Sequence, residues 1–62
     1  MKKEYLLGEM HRYFKSIEDS FSAIANTNST ESDIRKDIEN IYLSSRCLNH
    51  DAKMLYDRQY EN

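Results

Sequence analysis

Asn26-Thr27-Asn28-Ser29-Thr30-Glu31-Ser32 decides the fold. It is a run of polar residues, most of them turn and cap formers. Such side chains bond the nearby backbone, which opposes a helix interior and favours an N-cap. The rest of the chain has almost no punctuation: proline is absent and the single glycine is Gly8. Long helices are the natural outcome of that pattern. The run therefore predicts two helices, at about 2–25 and about 30–60. Ser29 or Thr30 would cap the second, with Glu31 and Asp33 favourable at its positive dipole end.

Outward from the turn, both arms carry a helical repeat. Leu7, Met10, Phe14, Ile17, Phe21 and Ile24 follow one another at alternating steps of three and four, and Leu6 and Tyr13 widen the stripe. Ile34, Ile38, Ile41, Ser45, Leu48, Ala52, Leu55 and Gln59 keep the same rhythm. A sustained seven-residue repeat on two arms belongs to helices whose side chains interdigitate. The short connection makes them antiparallel neighbours. The expected fold is all-α: one domain, 1–62, forming an antiparallel two-helix hairpin. In that pairing Phe14 lies level with Ser44 and Ser45, and Leu7 with Asp51 and Ala52, so large residues are expected to meet small ones. Pairs such as Glu31–Arg35, Lys15–Asp19 and Lys53–Asp57 would decorate the solvated faces.

Composition argues for association. A 62-residue chain buries only about 60% of the surface its unfolded form exposes. The usual staples are missing. The one cysteine, Cys47, permits no intrachain disulfide, and no Cys/His spacing reads as a structural zinc site. Dimerisation into a four-helix bundle is the expected remedy. A single thiol fits a reducing compartment, so a cytoplasmic location is expected. After Met1-Lys2-Lys3, Glu4, Gly8 and Glu9 interrupt any leader-like apolar region. Apolar runs such as Tyr5-Leu6-Leu7 fall far short of the roughly 20 residues that span a bilayer, so no membrane partner is expected. Nine basic against eleven acidic residues give a net charge of −2, too balanced to announce a polyanion partner.

The second arm carries more apolar surface than a hairpin needs. Leu43, Cys47, His50 and Met54 recur on the side opposite its main stripe, with Tyr42 and Tyr56 flanking. These six residues are the candidate protein interface, toward a second copy or another protein. The function this implies is a small non-enzymatic protein-interaction module: a regulator, adaptor or inhibitor. Cys47, His50 and Met54 share a face that a soft metal could visit, but no fourth ligand is fixed beside them. No metal or other cofactor is expected. Thiol catalysis by Cys47 and His50 would need a concave pocket and an oxyanion site, and Glu18 and Asp19 point different ways on a helix. No catalytic residue and no small-molecule substrate are expected. Lys3, Arg12 and Lys15 are the candidate nucleic-acid contacts, diluted by Glu4, Glu9, Glu18 and Asp19.

The architecture resembles the Rop family, helical hairpins that dimerise into four-helix bundles and bind paired RNA loops. Leu48-Asn49-His50-Asp51-Ala52-Lys53-Met54-Leu55-Tyr56 is similar in type to part of that family's second helix. Lys3 and Phe14 would stand for its RNA-facing residues, while Met10, Glu18 and Ala25 replace polar or basic ones. The resemblance implies an alternative function, an RNA-binding hairpin dimer. Ser45-Arg46-Cys47-Leu48-Asn49 is also similar to the Ser-x-x-x-Asp motif of hairpin phosphatases acting on sporulation response regulators. Asn49 lacks the carboxylate, so that activity does not carry over.

Overall fold

The computed structural model describes residues 1–26 and 28–61; Thr27, inside the predicted turn, lies outside them. Two helices, α1 (Lys3–Ile24) and α2 (Glu31–Tyr56), fold back on each other as a hairpin with no strand among the described residues. The molecule measures 46 × 14 × 13 Å.

The turn is built by the side chains that announced it. Asn26 Oδ1 accepts from the Asn28 N–H at 2.9 Å, and Ser29 Oγ donates to the Ala23 carbonyl at 2.8 Å, satisfying one of the last acceptors of α1. Thr30 is the cap: its Oγ1 accepts from the Asp33 N–H at 3.1 Å, and Glu31 and Asp33 sit in the first turn. At the open end the chain closes on itself. The Glu61 N–H donates to the Met1 carbonyl at 2.9 Å, placing the tail beside the start of α1.

Helix α2 ends at Tyr56, four residues before its expected end at 60. Arg58 stops it by taking a left-handed backbone, φ 55°. The Gln59 N–H then reaches back to the Met54 carbonyl at 2.8 Å, and the Arg58 N–H to Leu55 at 3.1 Å. This is a Schellman ending with arginine at the position glycine usually holds.

The contact between the helices is rotated from the expected one. Leu6 is completely buried, and Ser20, Ser44 and Asp51 are the other buried side chains among the described residues. Leu7, Phe14, Phe21 and Ile38, expected inside the seam, are about half exposed. The reason lies in Asn40. Its amide donates to Ser16 Oγ at 2.9 Å and to Ser20 Oγ at 2.7 Å, while its Oδ1 accepts from Ser44 at 3.4 Å. Small hydroxyls between the helices suit close approach and give the amide its partners. Leu7, Phe14 and Phe21 of α1 and Ile38 of α2 are thereby turned toward one flank, while Ile17, Ile34, Ile41, Leu48 and Leu55 stay half-buried along the contact.

Two substitutions test this account by urea unfolding at constant protein concentration. Asn40→Ala strands the hydroxyls of Ser16, Ser20 and Ser44 and is expected to lower stability by about 1–2 kcal/mol. Arg58→Gly relieves the left-handed residue and is expected to raise it by up to about 1 kcal/mol.

Candidate functional site

Rotation of the seam gives the hairpin two unlike flanks. With side chains advancing about 100° per residue, Glu9, Tyr13, Ser16 and Ser20 of α1 fall on one side of the contact. Asn40, Leu43, Cys47 and Asp51 of α2 fall on the same side. Asn40 bonded to Ser16 and Ser20 fixes that correspondence. Leu7, Phe14 and Phe21 of α1 and Ile34, Ile38 and Ile41 of α2 fall on the other.

The polar flank opens into a notch of about 390 Å³, lined by Glu9, Tyr13, Leu43, Arg46, Cys47, His50 and Asp51. At its floor, Asp51 is 4% exposed. Its Oδ2 is buried without a hydrogen-bond partner, and its Oδ1 stands 3.5 Å from Nδ1 of the exposed His50. The Glu9 carboxyl faces Asp51 from α1. Hydrogen bonding toward Asp51 holds the Glu9 pKa above its ordinary 4.5, with partial covering and the like charge adding to it; Arg12 and His50 pull the other way. A second carboxyl this close makes it costlier for Glu9 to carry its charge. Beside them, hydrogen bonding toward Cys47 raises the Tyr13 phenol, reinforced by covering and by the acids below. None of the ion pairs among the described residues brings a lysine or arginine to Glu9 or Asp51. Arg46, on the wall, lies instead over the Tyr42 ring, 5.7 Å from its centre.

Of the expected interface residues, Leu43, Cys47 and His50 meet at this notch. Met54 is half-buried, Tyr42 lies under Arg46, and Tyr56 is 88% exposed at the end of α2. Cys47 is a free, exposed thiol. The residues proposed to touch nucleic acid do not converge. Lys3, Arg12 and Lys15 are all exposed, but Lys3 lies across α1 from Arg12, and Lys15 is bonded to Glu18 at 3.1 Å. That bond raises the Lys15 pKa. Glu9 and Asp51 went unmarked in the sequence. They become conspicuous only when the seam is traced through Leu6, Tyr13, Ser20 and Ser44 rather than through the largest residues.

Among the described residues no group of three carboxylate, imidazole or thiol side chains is placed to hold a metal, and no helix is long and apolar enough to cross a membrane. The chain matches no protein-family model, and its comparison with curated proteins and with solved structures returns no match.

The acid pair makes stability depend on pH in an unusual direction. Because the folded Glu9 pKa lies above its ordinary 4.5, the native state holds the proton more tightly than the unfolded chain does. Lowering the pH through the raised value toward 4.5 is therefore expected to increase the urea midpoint. Glu9→Gln should be more stable than the parent at neutral pH and should lose this slope.

Proposed function

We propose that this chain is a small non-enzymatic protein-interaction module, a regulator or adaptor. It self-associates by closing the apolar flank of one hairpin on that of a second to make a four-helix bundle. The observation that carries this reading is the apolar surface left open. A folded chain of 7.4 kDa ordinarily exposes about 4,200 Å². This hairpin exposes 5067 Å², an excess close to the roughly 800 Å² per partner of a standard interface. Elongation contributes to that excess, but its chemistry is specific: Leu7, Phe14, Phe21 and Ile38 stand half exposed on a single flank. Isolated apolar residues on a surface need no explanation, whereas a contiguous patch does.

The flank also suits a copy of itself. Leu7, Phe14 and Phe21 form a ridge of large residues on α1, and Ser45 and Ala52 leave low places on α2. A two-fold axis through the flank sets each ridge against the other copy's hollows, the arrangement an isologous dimer requires. The Leu43–Cys47–Met54 side borders the acidic notch.

Sedimentation equilibrium between about 1 µM and 0.1 mM, the range in which interfaces of ordinary strength are populated, tests the proposal. The parent should approach twice the hairpin mass. Phe14→Glu should weaken association by about a hundredfold, since it places a charge in the middle of the interface. Leu43→Glu, on the opposite flank, should leave it unchanged. A parent that stays monomeric throughout, or a dimer broken by Leu43→Glu and spared by Phe14→Glu, overturns the assignment of the face.

A further inference from the structure

We propose that the notch between Glu9 and Asp51 is a binding site for a guanidinium group, the arginine side chain of a protein partner. The inference takes up the reading of the chain as an interaction module and does not depend on self-association, because the notch lies on the flank away from the apolar face.

Three features of the notch support it. Asp51 is a carboxylate buried to 4% exposure with one oxygen left without a partner. A buried acceptor in that state is costly, and it is rare in native structures unless something outside the chain completes it. Next, Glu9 lines the same notch as Asp51 from the other helix, and no ion pair among the described residues brings a lysine or arginine to either. Two carboxyls converging from different helices suit a cation with more than one donor edge. Third, the size is right for one side chain: about 390 Å³, at the low end of the roughly 300–1,000 Å³ of ligand pockets.

The walls favour an organic cation over a metal ion. Among the described residues no three carboxylate, imidazole or thiol side chains are placed to hold a metal ion, whereas Tyr13 and Leu43 line the notch with an aromatic ring and an aliphatic surface. A guanidinium is planar and presents several N–H donors in a fixed fork. It can address two carboxylates at once while its face rests on a ring. An ammonium has neither the plane nor the fork. Arg46 shows that this surface already holds one guanidinium over a ring, that of Tyr42. On binding, the guanidinium lies between the two carboxyls and offsets the like charge that sets them against each other. Arg12 and Arg46 remain as the positive groups around the pair, with the His50 imidazole beside Asp51.

The test is an NMR titration of the full chain with N-acetyl-arginine amide, using N-acetyl-citrulline amide as the uncharged isostere and zinc chloride as the metal arm. Saturable shifts are expected at the amides of Glu9, Tyr13, Cys47 and Asp51 with the arginine compound at millimolar concentration, as befits a single side chain, and not with the citrulline compound. The Glu9 carboxyl carbon should titrate at lower pH in the complex. Glu9→Gln and Asp51→Asn should each weaken binding about tenfold or more. Glu9→Gln retains the shape and a hydrogen-bonding end, so its dispersed spectrum separates lost binding from lost fold. Phe14→Glu should bind as the parent does, so a failure of self-association and a failure of this site are distinguishable. Equal shifts from both amino-acid compounds overturn the proposal, as do shifts that survive both variants, a response to zinc alone, or no response at all.

Discussion

The amide of Asn40, held between the hydroxyls of Ser16 and Ser20, sets the rotational phase of both helices. Rolling either helix by one residue turns its side chains by about 100° and carries the amide away from its acceptors. A stranded amide in the contact would cost on the order of 1–3 kcal/mol. That constraint is local, but its consequence runs the length of the hairpin. Once the phase is fixed, Leu7, Phe14 and Phe21 lie outside the contact on one side, and Glu9 and Asp51 are brought together on the other. A single polar cluster at mid-length thus decides what each flank offers. Buried polar groups at one seam position are known to specify register in helical assemblies, at a cost in stability.

The size of that cost is informative. Burying a side chain the size of leucine or phenylalanine contributes roughly 1.5–3 kcal/mol, and the rotated seam leaves three of them half exposed on α1 alone. A net hydrogen bond returns only about 1 kcal/mol. With Leu7, Phe14 and Phe21 about half exposed, the isolated hairpin forgoes roughly as much as the three hydrogen bonds of the Asn40 cluster supply. Covering the flank would recover that burial without disturbing the seam. This balance is why the apolar face, rather than the mixed stripe of Leu43, Cys47 and Met54, supports the proposal of association. Asp51 breaks the usual rules as well, placing a carboxylate where an aliphatic residue would pack. Local violations of this kind concentrate at places that bind something.

Much of the architecture was legible in the sequence. Asn26, Ser29 and Thr30 make the turn through the same side-chain bonds that mark such residues as helix breakers and caps, and the two helices start within a residue of the expected positions and fold back as a hairpin. What the repeat does not carry is its own phase. A stripe read at steps of three and four has two edges, and either can face the sister helix. Taking the largest residues as the inner edge selects Phe14 and Ile38; the structure selects Tyr13 with Ser20, and Ser44 with Asp51. Only pairing across the helices distinguishes the two, and that information is tertiary. The end of α2 was hidden for a different reason: Arg58 adopts a left-handed backbone without the glycine that would signal it.

The separation of the flanks has a consequence that neither surface has alone. In the proposed bundle the two apolar faces meet at the centre, and each copy's notch points away from that centre. Closing the face therefore leaves both acidic sites open, related by the same two-fold axis. Two modest sites held at a fixed spacing bind a partner carrying two arginines far more tightly than either does separately, because the second contact is made within an already formed complex. The gain vanishes if the spacing of the arginines does not match. Selectivity would then reside in the length of the bundle rather than in the depth of either notch. That length is set by the register at Asn40, and by the helices whose turn is built at Asn26, Ser29 and Thr30.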